Sequence, residues 1–225
     1  MPFLHDKVIE EHADLLLAEH AEAHGAITIP VPLDNIVELH LKLAYEVDDL
    51  RARFGSPDVL GAIWFNENII RIDASLDPHN DPRMRGRYNF TLAHEIGHWR
   101  LHREHLRGDP SEASLFEANG KPAFVCRSSD KPPEEIQADK FAGCLLMPRK
   151  FLRLAWSDWR GTEDPAALTD LDVPSLGGDQ KAEENAAMER FCRPLAERFE
   201  VSAQAMRIRL QTLGLLVREI EPRLF

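Results

Sequence analysis

The stretch LAHEIGHWRLH, Leu92 to His102, constrains this chain more than any other. It sets three histidines and a glutamate among Leu92, Ala93, Ile96 and Leu101, and apolar residues at this spacing predict a helix. His94, Glu95 and His98 spell H-E-x-x-H. Side chains four apart lie on one helical face, so both imidazoles can reach a single ion. Zinc takes nitrogen ligands at about 2.0–2.1 Å and, where it is catalytic, keeps one position open for water. Glu95, next to His94, can take the proton of an attacking water and deliver it to a leaving amine. Gly97 costs such a helix about 1 kcal/mol against alanine, which points to close packing or to the metal site as its reason. A helix whose histidines are incidental is the competing reading of so short a pattern. The apolar residues that bury one side of the motif favour the metal.

A zinc site needs a third protein ligand. The extended pattern H-E-x-x-H-x-x-G-x-x-H fails here, because Leu101 replaces the glycine and Glu104 the last histidine. His102 lies one turn past His98, where the helix axis carries it away from the ion. It reads as a histidine behind the site or at the surface, and as a possible ligand only secondarily. EIQAD offers more. It places Glu135 and Asp139 four apart on a second expected helix, residues 133–147. Glu135 can ligate, and Asp139 can hydrogen-bond the far nitrogen of a ligating histidine and fix its tautomer. Glu134 is the ligand if the register shifts by one, and Gln137 faces elsewhere on the helix. A solvated acidic face at a helix N-terminus is the plain alternative.

With those residues in view, the chain resembles the ImmA/IrrE family of zinc metallopeptidases. RYNFTLAHEIGHWRLH matches the family's F-T-x-A-H-E-x-G-H helix, and about forty residues later EIQADKFAGCLLMP matches its E-x-x-A-[ND]-x-F-A-x-x-L-L-M-P helix. The resemblance implies an α+β fold, a minimal gluzincin-like zincin in which a small sheet carries two helices that clasp the metal. It implies His94, His98 and Glu135 as zinc ligands and Glu95 as the general base. It also implies an endopeptidase that cleaves a helix-turn-helix repressor in a stress or mobile-element response. IIRID, Ile69–Asp73, fits the edge strand that the family places before its active-site helix. Relatives often direct a tyrosine or histidine at the oxyanion, and Tyr88, His102, His105 and His79 are the candidates here. A non-catalytic zincin-like regulator, or a DNA- or protein-binding module, is the alternative function.

Elsewhere, residues 6–24 read as a helix stopped by Gly25. ITIPVPLDNIVELHLKL starts extended and turns helical after Asp34, a candidate N-cap. AYEVDDL suggests a short strand, GAIWFNENIIRID a hairpin, residues 107–134 an irregular segment and RKFLRLAWSDW a helix. The expected organisation is a zincin-like domain over 1–157, a linker or mobile loop over 158–185 and a helix-turn-helix-like segment over 186–225. In that last segment PLAERF makes a short helix, EVS a turn and Ser202 an N-cap. Ile208, Leu210 and Leu213 are expected inward, with Gln204, Arg207 and Arg209 outward. Seven arginines against five glutamates give it a net charge of +2, which favours packing or a protein partner over DNA.

The whole chain of 225 residues carries a net charge of −11, which argues against general attraction to nucleic acid or membrane surfaces. Cys126, Cys144 and Cys192 lack paired spacing, so neither a disulfide framework nor a cysteine-based zinc site is expected, and a reducing cytoplasm fits. Cys144 reads as core, and Cys126 could lean onto the metal. No stretch reads as a signal peptide or a membrane span.

Overall fold

The computed structural model of the protein describes residues 4–104, 122–127, 132–171 and 179–219. It has two compact units, Met1–Leu146 and Met147–Phe225, each a mixture of helices and short strands.

In the N-terminal unit, α1 (Asp6–His24) buries Ile9, Ala13, Leu16, Leu17 and His20 along one face and ends at Gly25, whose φ is +100°. The short α2 (Leu33–Asn35) runs straight into a π-helical turn, Ile36–His40. Asp34 lies inside that first turn and does not cap it: Pro32 precedes the helix, and the Asp34 carboxylate takes the Tyr45 hydroxyl as its hydrogen-bond donor. Next come β1 (Ala44–Asp48), α3 (Leu50–Phe54), β2 (Val59–Trp64), β3 (Ile69–Asp73), α4 (Arg85–Leu101), β4 (Phe124–Arg127) and α5 (Pro133–Leu146).

The four strands form one sheet in the order β1-β3-β2-β4, with β1 and β3 parallel and the other pairs antiparallel. Two expectations fail here. Ile69–Asp73 is an interior strand, because β1 pairs along the side of it that faces away from β2. The segment expected to be irregular contains β4, which borders β2. Phe124, Val125 and Cys126 are too short a run to show alternation, and only the exposed backbone of β2 makes them a strand.

The sheet register decides what faces the helices. Gly61 pairs with Ile72 and Ile63 with Ile70, so these four point to one side, the side on which α4 packs. Leu50, Val59, Ala62 and Trp64 cluster with Phe54, Ile69 and Val125 on the other. A register irregularity between Val59 and Gly61 allows both patterns in one strand. Every residue of α4 from Thr91 to Trp99 is buried, between the sheet and α5. Burying Leu92 and Ile96 there stabilises the unit by about 1.5–3 kcal/mol each. Gly97 is the point of closest approach: a Cβ on it would lie 3.2 Å from Ala138 Cα and from the Phe141 ring. Close packing is therefore the reason for a glycine inside this helix.

The C-terminal unit holds α6 (Arg149–Arg160), β5 (Ala166–Ala167), α7 (Gln180–Arg198), α8 (Ala203–Thr212) and β6 (Leu216–Val217). Residues 158–185, read from composition as linker, include the end of α6, the strand β5 paired in parallel with β6, and the first turn of α7. Asp179 caps α7 by accepting from Lys181 N–H, and the Trp156 indole donates to the Asp164 carbonyl. Residues 172–178 lie outside the described ones.

PLAERF is not a separate helix, because α7 runs unbroken through Pro194. Ser202 caps α8 by accepting from Ala205 N–H at 3.1 Å. The inward face of α8 differs from the expected one. Met206, Arg209, Leu210 and Leu213 are buried, and Ile208 is 49% exposed. The first three, with Leu213, follow the i, i+3, i+4, i+7 stripe of a helix. Arg209 tolerates this because its Nε donates to the Met147 carbonyl at 3.0 Å. Arg207 pairs with Glu189 and donates to Gln211, so of the three polar residues expected outward only Gln204 is exposed.

Candidate metal centre

The motif on α4 and the acidic first turns of α5 meet across the Gly97 contact. His94 Nε2 and His98 Nε2 lie 3.0 Å apart. Glu135 Oε2 is 3.0 Å from His94 Nε2, and its Oε1 is 3.2 Å from His98 Nε2. The ligand–ligand edges of a tetrahedral zinc site are roughly 3.3 Å when each bond is about 2.0–2.1 Å. Three donor atoms drawn from two helices thus stand at close to the spacing that one ion sets. Glu135 sits in the first turn of α5, where a helix favours a carboxylate. Glu134, the alternative register, is not part of this cluster.

The far side of each imidazole is held. Asp139 Oδ1 accepts from His94 Nδ1 at 3.0 Å. His102 is buried, with Nε2 3.3 Å from Gln137 Oε1 and Nδ1 2.9 Å from His98 Nδ1. An amide oxygen can only accept, so it places the His102 proton on Nε2. His102 Nδ1 must then accept the proton of His98 Nδ1. Both relays end the same way, with Nε2 of His94 and Nε2 of His98 turned toward Glu135. Two imidazole nitrogens and a carboxylate converging in a buried site call for a positive charge, so the donor set fits a cation.

The surroundings move the two rings in opposite directions. Burial opposes charge on His94, but Cys126, Asp139 and Glu135 outweigh it and raise its pKa well above the ordinary value. Burial drives His98 down to about 3. Glu135 is pulled to about 2 by its bonds to His94 and His98, against the effect of burial. Glu95 is fully buried, and neither of its carboxylate oxygens has a hydrogen-bond partner among the described residues. Burial, with a smaller push from Glu135, lifts it to about 8 against the pull of His94. Leaving a buried polar group unpaired costs about 1–3 kcal/mol. The site keeps room for it nonetheless: a Cβ on Gly61 would come within 2.8 Å of Glu95 Oε1 and 2.7 Å of Thr91 Cγ2.

β4 closes one side of the cluster. Phe124 stacks on His98, with ring centroids 4.1 Å apart and planes 11° from parallel. Cys126 is buried, and its Sγ falls with His94 and Glu95 in a second group whose donor atoms all lie within 4.8 Å of one another. Its thiol is raised above its ordinary pKa by burial, partly offset by His94.

The remaining candidates fall elsewhere. Tyr88 is buried near Asp34, Asp77 and Tyr45, and takes no part in the cluster. His79 is exposed, and His105 lies outside the described residues. Gln137, which helical spacing sets aside, is buried against His102. Nothing in the sequence distinguishes it, because its partner is contributed by the other helix.

The IrrE N-terminal-like domain, a peptidase family, matches residues 44–211 of the chain. No curated protein sequence matches. Among solved structures, a Mycobacterium tuberculosis transcriptional regulator is similar, with a TM-score of 0.47 and 16% identity. The match covers 93% of this chain and 56% of that one, so the chain spans little more than half the regulator's length.

Proposed function

Because the chain belongs to the family of the IrrE N-terminal-like peptidase domain, we propose that it is a zinc-dependent endopeptidase with its catalytic site on α4, α5 and β4, a minimal zincin. The observation that carries this reading is the convergence of His94 Nε2, His98 Nε2 and the Glu135 carboxylate beside the unpaired carboxylate of Glu95. His94, His98 and Glu135 would hold the zinc. Bound there, it would supply Lewis acidity, a positive charge that acidifies water and polarises a peptide carbonyl.

The chain's own groups do the rest. The Glu95 carboxylate takes a proton from the attacking water and returns it to the nitrogen of the leaving amine. Burial suits it to that exchange, because a carboxylate shielded from solvent binds a proton more readily than an exposed one. Asp139 holds the His94 ring, and Gln137 holds the His98 ring through His102. The outer edge of β4 pairs with no strand among the described residues, and an extended substrate could add to it by main-chain hydrogen bonds. The substrate class that follows from the family is a protein, a helix-turn-helix repressor in a stress or mobile-element response.

The test uses Glu95→Gln in the full chain, incubated with candidate repressors and assayed for bound zinc. The expected result is wild-type zinc content with cleavage abolished. His94→Ala is expected to lose both. Equal cleavage by Glu95→Gln and wild type would refute the assignment of the base. Zinc retention with no cleavage by the wild type of any repressor encoded beside it would favour a non-catalytic regulator.

A further inference from the structure

A second histidine cluster lies outside the centre described above. His20 and His24 occupy successive turns of α1, and His40 ends the π-helical turn that packs beside that helix. Their ring centroids are 4.9 Å apart for His20 and His24, and 5.9 Å from each to His40. One ligating atom from each can be chosen so that all three lie within 4.8 Å of one another.

Packing alone gives a poor account of this arrangement. His20 is only 3% exposed, and its Nδ1 is buried with no hydrogen-bond partner among the described residues. An unpaired ring nitrogen in the interior is a cost unless something occupies its lone pair. His40 is already oriented: its Nε2 lies 3.3 Å from Glu19 Oε2. A carboxylate accepts that proton, which leaves the His40 Nδ1 lone pair free to ligate, as in the carboxylate–histidine pairs that support metal sites. Glu19 is itself fixed by Arg100, whose two terminal nitrogens each reach it at 3.1 Å. His24 is in the last turn of α1, where the helix end favours a cation.

We propose that His20, His24 and His40 form a second metal site, for a late first-row divalent ion such as Zn2+. Three imidazoles with no carboxylate among the ligating atoms select zinc, nickel or copper over calcium and magnesium. The donors, which lie within 4.8 Å of one another, must draw closer together to reach the roughly 3.3 Å edges of a tetrahedral site. The open side at His24 lets the ion enter from solvent. Arg100, two residues beyond His98 on α4, ties the support of this site to the helix that carries the first centre.

The test is a zinc count on the untagged full chain, stripped with a chelator and dialysed against micromolar free Zn2+. His24→Ala/His40→Ala is compared with wild type, after circular dichroism has shown that both are folded. The double variant is expected to bind one ion fewer per chain. The same loss is expected when both chains also carry His94→Ala, which makes the result independent of the first centre. An equal zinc content in wild type and double variant, in either background, would overturn the proposal. His24→Ala alone, at an exposed position, is expected to weaken the second equivalent at least tenfold, and an unchanged affinity would count against the site.

Discussion

Gly97 and Gly143 each interrupt a helix of the N-terminal unit, and the structure predicts opposite consequences for replacing them with alanine. Alanine is worth about 0.8–1.0 kcal/mol over glycine in a helix interior. At Gly143 a Cβ meets nothing within 4 Å, so Gly143→Ala should gain that amount. At Gly97 the added methyl meets Ala138 Cα and the Phe141 ring at 3.2 Å and the Ala138 carbonyl at 3.3 Å. Two of those atoms are backbone and cannot turn aside, so α4 and α5 must move apart by a few tenths of an ångström. Overpacking of this kind costs about 1–3 kcal/mol, which leaves Gly97→Ala near neutral to about 2 kcal/mol destabilised after the helix gain. The two variants should therefore differ by about 1–3 kcal/mol, a separation of several degrees in Tm at roughly 2–4 °C per kcal/mol. Differential scanning calorimetry measures the difference, and zinc titration supplies a second readout. Separating α4 from α5 draws His94 and His98 away from Glu135, so Gly97→Ala should also bind zinc about tenfold more weakly, the equivalent of about 1.4 kcal/mol, while Gly143→Ala should not. Equal stabilisation by both substitutions, with zinc affinity unchanged, would refute the claim that Gly97 sets the spacing of the centre.

Three other outcomes follow from the same geometry. Asp139→Asn keeps the shape of the side chain that holds His94 Nδ1 but loses its charge, and should weaken zinc binding by about 10–100-fold, measured by competition with a chromophoric chelator. Gly61→Ala pushes a methyl against Glu95 Oε1 and Thr91; cleavage should fall by about 100-fold, the scale of a misplaced catalytic group, with zinc content unchanged. Burial raises the pKa of both Tyr45 and Tyr88, the latter to about 12. A titration followed at the tyrosinate absorbance should show neither ionising near pH 10 in the folded chain. The stability that these two neutral phenols contribute is complete below the unfolded value of about 10, and is lost as pH rises from there toward the folded values, because only the unfolded chain then releases protons.

Local periodicity made much of the N-terminal unit legible. The boundaries of α1 follow from its apolar stripe and Gly25, and the β2–β3 hairpin from two apolar runs around a turn. Four-residue spacing puts His94 with His98, and Glu135 with Asp139, on one face of a helix, whatever surrounds that helix. In α8 polarity alone misleads, because a buried Arg209 is tolerated where a carbonyl such as that of Met147 meets it, and sequence does not reveal that partner.

What the sequence determined by itself was which side chains share a helix face, because helical repeat is a property of neighbouring peptide units. Tertiary structure decided what stands opposite each face. Gln137 reaches His102, Cys126 reaches His94 from β4, Ile69–Asp73 lies inside the sheet, and His40 meets His20 and His24 beside Glu19. Each of these juxtapositions joins segments far apart in the chain, and each is set by sheet register or by the distance at which two helices pack. Those distances depend on the balance of burial and steric contact over the whole unit, a balance that no short stretch of sequence contains.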